Sequence, residues 1–176
     1  MRPFFLIPIL IALTILWGCK KTASQSTLDL SQQWQTDVSG SLIKGVSNPK
    51  DSQWQNRLLT SSELALFNSL DTADLSGTTM PGSIQSTIFY PNPFLTQALM
   101  YFKLNSTYQG QFKLKYVIVD NHMNALQKGS SLLSNSYAFF LLTSSLPSGY
   151  YRIYFTLSSQ TNENFYTSWG NIQKSQ

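Results

Sequence analysis

Few residues in this chain have the type and spacing to do chemistry. His122 is the only histidine, and with Asp120 it makes an Asp-x-His pair. Such a pair suits a base with its orienting carboxylate, or two ligands of a metal. A nucleophile would have to come from elsewhere, and no G-x-S-x-G surrounds any serine. No second histidine, nearby thiolate or further carboxylate completes a zinc set, and Asp120-Asn121-His122 lacks the spacing of a calcium loop. Asp71 and Asp74 are close in sequence but Asp51 and Glu63 are scattered, so no carboxylate pair stands out for acid–base work. The preferred reading of Asp120-Asn121-His122 is a polar β-turn, with a hydrolase using Asp120 and His122 as the minor alternative. No catalytic residue, metal or cofactor is expected.

Cys19 is the only cysteine, so it can form no internal disulfide. Before it lie Met1-Arg2 and the uncharged run PFFLIPILIALTILW, the layout of a secretory signal. As a helix, Phe4 to Trp17 would span about 21 Å, short of a hydrocarbon core of about 30 Å. The junction Leu16-Trp17-Gly18-Cys19 resembles a bacterial lipobox: an aliphatic residue at −3, a small one at −1, then the obligatory cysteine. The resemblance implies diacylglyceryl transfer to the Cys19 sulfur, cleavage after Gly18 and acylation of the new amino terminus. Each buried methylene contributes about 0.8 kcal/mol, so two or three acyl chains would make membrane residence effectively permanent. Lys20 stands where enteric lipoproteins carry an inner-membrane retention Asp, which implies the outer membrane.

Loss of residues 1–18 from 176 leaves 158, enough for one domain. The chain has 12 Lys and Arg against 8 Asp and Glu, formally +4, and Arg2 leaves with the signal. No basic run exceeds Lys20-Lys21, which argues against nucleic acid as a partner. Residues 19–33 read as a lipidated polar tether, and residues 34–82 as an irregular and helical segment packed on the body. Thr60 and Glu63 have capping-box spacing, which predicts about ten helical residues from Ser61. Leu59 and Leu64 would form a hydrophobic staple, and Leu64, Phe67 and Leu70 would share a face.

Residues 83–176 change to period two. SIQSTIFYP, QALMYFKLN, QFKLKYVIVD, SYAFFLLTS, GYYRIYFTLS and NFYTSWG read as strands, separated by NSTYQG, QKGSS, LPSG and SQTNEN as turns. A seventh strand is expected around Met123 to Gln127. Alternation points Met100, Phe102 and Leu104 inward, then Phe112, Leu114, Tyr116 and Ile118, then Tyr151, Ile153, Phe155 and Leu157. The expected fold is mainly β: an immunoglobulin-like antiparallel β-sandwich of six or seven strands, with a short N-terminal helix and a cleaved signal helix. The outward set Tyr150, Arg152 and Tyr154, with Lys103, Lys113 and Lys115, is the candidate binding face for a sugar or peptide. The plainer reading, which we prefer, is that these side chains cover the second sheet or face the N-terminal helix.

Tyr90-Pro91-Asn92-Pro93-Phe94, followed by the apolar strand, VIVD and PSGYYRIYF, resembles the β-sandwich modules that end many Bacteroidota envelope proteins. Those include type IX secretion sorting domains and FlgD-type immunoglobulin-like modules, and the resemblance runs from about Thr87 to Leu157. Pro91 and Pro93 fix φ and stop sheet pairing, so the segment is expected as a rigid corner. The terminal FYTSWGNIQKSQ departs from the sorting-domain pattern at Trp169 and Gly170, and the turn after Asp120 lacks its usual glycine. Asp71-Thr72-Ala73 matches an O-glycosylation pattern of the same bacterial group, which makes Thr72 a possible modification site. The sequence therefore points to a non-enzymatic envelope lipoprotein whose partners are the membrane and an envelope protein or glycan. A secretion-linked sorting module is the alternative.

Overall fold

The computed structural model describes residues 27–45, 52–70, 84–104, 110–134, 137–142, 145–159 and 162–176. Gly18, Cys19 and the rest of the signal, together with Thr72, lie outside the described residues. Two short strands, β1 (Gln35–Thr36) and β2 (Leu42–Lys44), form a hairpin ahead of one helix, α1 (Ser61–Ala65). The period-two runs then form β3 (Ile84–Tyr90), β4 (Gln97–Leu104), β5 (Gln111–Val119), β6 (Ala125–Ser134), β7 (Ala138–Leu142), β8 (Gly149–Ser158) and β9 (Tyr166–Lys174). All pair antiparallel, in a three-stranded sheet of order β3-β4-β7 and a four-stranded sheet of order β6-β5-β8-β9. This is a β-sandwich with the strand order of an immunoglobulin-like fold, seven strands in two sheets.

The inward parity follows the alternation in the sequence. Met100 and Phe102 of one sheet meet Phe112, Leu114, Ile118, Ile153, Phe155 and Leu157 of the other, all fully buried. Each such side chain contributes about 1.5–3 kcal/mol by leaving water. Phe102 packs edge-on against Phe112 at 6.0 Å, and Phe112 stacks on Tyr137 at 5.1 Å.

The Pro-Asn-Pro-Phe corner is held by the amide of Asn92, which is 1% exposed. Its Nδ2 donates to the carbonyls of Trp34 (2.7 Å) and Asn171 (3.2 Å), and its Oδ1 accepts from the Gln173 N–H (2.9 Å). The two prolines supply no N–H, and the Asn92 side chain between them adds three bonds to those its own backbone makes with Thr36. Both X–Pro bonds of the corner are cis.

Four expectations are corrected. Residues 28–33 are packed rather than a free tether: Leu30 and Gln33 are buried, and the Leu28 N–H donates to the Asn121 carbonyl at 2.7 Å. The helix has five residues instead of about ten, then continues through Leu70 in tight turns with i→i+3 bonds. Its capping box forms as expected, but Leu64 is left exposed while Leu59 and Phe67 turn inward. QKGSS is strand interior, not a turn, because β6 runs through it. Gly129 is there for close approach: a Cβ would fall 2.7 Å from the Tyr116 ring.

Candidate functional site

The outward face of the four-stranded sheet is covered. Val117, Val119 and Tyr154 form a second apolar cluster with Leu59 and Phe67 from the helical segment, and Trp169 packs at its side. Tyr154 is therefore fully buried, which corrects its place in the proposed binding face. Burial raises the Tyr154 phenol pKa, opposed by nearby Arg152 and reinforced by Glu63. Its hydroxyl has these two polar neighbours yet makes no hydrogen bond of normal geometry. Lys113 and Lys115 are also buried, the latter 3.7 Å from Glu163, whereas Lys103 remains exposed.

Arg152 is a clamp on the N-terminal segment. Its Nε donates to Asn171 Oδ1 (2.9 Å), a terminal nitrogen donates to the Asp29 carbonyl (3.0 Å), and the guanidinium lies 4.0 Å over the Trp169 ring. Asn171 extends the clamp, donating to the carbonyls of Gln32 and Asp29. Of the three predicted face residues only Tyr150 is exposed, beside a polar cleft of about 280 Å³ shared with Gln33 and Lys44. The structure places Arg152 and Tyr154 both beside Trp169, with Arg152 near the Tyr154 hydroxyl, and leaves Tyr150 exposed.

Asp120 and His122 form a self-contained turn. Asp120 Oδ1 accepts from the backbone N–H groups of His122 (2.8 Å) and Asn124 (2.9 Å), and Oδ2 accepts from Asn124 Nδ2 (2.8 Å). Partial burial would raise the Asp120 pKa, but these hydrogen bonds and the His122 charge bring it below the usual carboxylate range. Its oxygens are committed to ordering the chain, as in an Asx turn. No group of three or more His, Cys, Asp and Glu suited to a metal occurs among the described residues.

The larger opening lies at the other edge of the molecule, and sequence reasoning missed it. A cleft of about 380 Å³ runs along residues 84–89 of β3, between the β1–β2 hairpin at Gly40 and Leu42 and the segment 53–56. Among the described residues, no charged side chain lines it. Amides and hydroxyls supply its polarity, and Trp34, Leu42, Ile84 and Ile88 its apolar surface.

Trp54 forms the inner wall. Its ring closes the gap between the sheets, stacking on Phe89 (5.3 Å between centroids) and Phe155 (6.2 Å). The Trp54 N–H donates to the Trp169 carbonyl (2.7 Å), and the Trp54 carbonyl accepts from the Tyr166 hydroxyl (3.0 Å). That hydroxyl accepts in turn from Thr87 Oγ1 (3.2 Å), and burial raises the Tyr166 pKa, with the Thr87 bond opposing. Gly170, unexplained by sequence, leaves room for this ring: a Cβ there would lie 2.1 Å from Trp54 Cζ2. The pairing of a tryptophan in an irregular segment with a distant strand glycine gives no local signal.

Such a site is suited to non-covalent binding through hydrogen bonds and apolar contact. No protein-family model, curated protein or solved structure matches this chain.

Proposed function

We propose that the chain is a lipid-anchored component of a bacterial envelope that works by binding, with no reaction of its own. The observation that carries binding is the uncharged cleft of about 380 Å³ along β3, within the usual ligand-site range of about 300–1,000 Å³. The Asp-x-His pair supports the same reading, since the Asp120 oxygens serve the backbone of their own turn. The anchor rests on Leu16-Trp17-Gly18-Cys19 directly after the apolar run, which supports outer-membrane attachment through acylated Cys19.

The anchor is tested by metabolic labelling with a palmitate analogue in a bacterial host: the parent chain takes up label and Cys19→Ser does not. Label persisting on Cys19→Ser refutes the anchor. A secretion-linked sorting role is the second reading, favoured by the Pro-Asn-Pro-Phe corner leading from β3 into β4 of the sandwich. It requires that removing residues 83–176 from a reporter fusion stops export, and unchanged export discards it.

A further inference from the structure

We propose that the cleft binds an uncharged peptide segment in extended form, added as a strand to the free edge of β3. This deepens the binding reading above and takes from it only that a ligand exists.

Sheet order places β3 at an edge, with β4 on one side and no strand beside residues 84–88 on the other among the described residues. Two hydrogen bonds fix which backbone groups face that free side. The Phe102 N–H donates to the Tyr137 carbonyl near β7, so Tyr101 is the β4 residue that turns its backbone to β3, opposite Ile88. On the far side, Thr36 Oγ1 donates to the Phe89 carbonyl at 2.7 Å. By alternation the N–H and C=O of Thr87, like those of Phe89, point into the cleft rather than to β4.

The same edge already accepts a strand at one end. Thr36 and Asn92 form an antiparallel bridge with two backbone hydrogen bonds, 2.9 and 3.1 Å. The chain then turns away at Asp37, whose carboxylate accepts from the Ser39 and Ser41 N–H groups. The pairing line is thus begun and left open for about five residues, roughly 16 Å of extended chain.

The walls select what continues it. Leu42 lines the cleft on one side and residues 53–56 on the other, so an added strand would lie between two walls. With no charged side chain in the lining among the described residues, a charged peptide would lose hydration without gaining a partner there. Main-chain bonds to β3 supply affinity, and alternate side chains meet the two walls.

The test uses the purified full chain in detergent and a displayed library of random nine-residue peptides. Recovered peptides should slow hydrogen exchange at the Thr87 amide at least tenfold. Thr87→Pro removes the outward N–H while sparing the β4 ladder, and should weaken binding at least tenfold. Thr87→Val keeps the N–H and should bind within threefold of the parent. Four results each overturn the proposal: no peptide recovered, recovered peptides that leave Thr87 unprotected, equal binding by Thr87→Pro, or a Thr87 amide already as protected in the free protein as Ile88. Cellohexaose protecting the cleft where no peptide does would assign it to a neutral sugar instead. If Thr87→Pro does not fold, exchange on the native chain decides alone. None of these outcomes depends on Cys19 acylation, so failure here leaves the labelling test untouched.

Discussion

Replacing Gly170 by alanine drives a methyl group into the ring that closes the sandwich. The new Cβ would lie 2.1 Å from Cζ2 and 2.2 Å from Cε2 of Trp54. To regain ordinary contact at 3.4 Å the ring would have to retreat by roughly 1.3 Å. Retreat is blocked by Phe89, stacked nearly parallel at 11°, and by the Trp54 N–H bond to the Trp169 carbonyl. A ring that shifts within the core costs about 1–3 kcal/mol in overpacking. A ring expelled to solvent costs about 3–5 kcal/mol, as Trp→Ala would. The contact is close enough that we expect about 3 kcal/mol, read as a lower urea midpoint at unchanged slope. The decisive assay is a double-mutant cycle with Trp54→Ala. Once the ring is gone, Gly170→Ala should cost less than about 0.5 kcal/mol, making the coupling nearly the whole single-mutant effect. An equal cost with and without Trp54, or a parent-like Gly170→Ala, would refute the reasoning.

Four further predictions concern the N-terminal segment and the polar turn. Glu63→Gln weakens the capping box and the paired bonds from Arg57 (2.6 and 3.1 Å), and should cost about 1–2 kcal/mol in urea unfolding; a change within about 0.3 kcal/mol contradicts it. Burial alone would raise the Glu63 pKa, but the bonds from Arg57 and Thr60 and the Arg57 charge hold it below its ordinary value. Its stabilisation is therefore fully present above the unfolded value of about 4.3 and lost as pH falls through the lower folded value. Glu63→Gln should flatten that acid limb, and identical acid limbs in both proteins would be the opposing result. Arg152→Ala should release residues 28–33, seen as faster hydrogen exchange at the Leu28 amide; unchanged exchange would mean the clamp is idle. Asp120→Ala should speed exchange at the His122 and Asn124 amides while global stability falls by no more than about 2 kcal/mol, and a larger loss would give the turn a role beyond its own backbone.

What was legible in the sequence was what depends on neighbours along the chain. Side-chain parity within a strand repeats every two residues, so Phe112, Leu114 and Ile118 announced the buried face of β5 without knowledge of β8. The capping box was legible for the same reason, since Thr60 and Glu63 meet within one helical turn. The corner at Asn92 was readable as a corner, though not as a hydrogen-bonding hub, because its partners Trp34 and Asn171 lie 58 and 79 residues away.

Tertiary structure decided everything that turns on which outward face is covered. Alternation marks Tyr150, Arg152 and Tyr154 alike as pointing away from the core. It cannot say that Leu59 and Phe67 will bury Tyr154, or that Asn171 will bond Asp29 across 142 positions. The cleft is a tertiary product in the same sense: a free β3 edge exists only once β4 pairs on the other side and β1 turns away at Asp37. Gly170 shows the same limit in one residue. As a letter it was only a departure from the sorting-domain pattern, and in the fold it is the space that Trp54 occupies. Local periodicity fixes where a side chain points, whereas what it meets there is set by chain segments brought together from far apart.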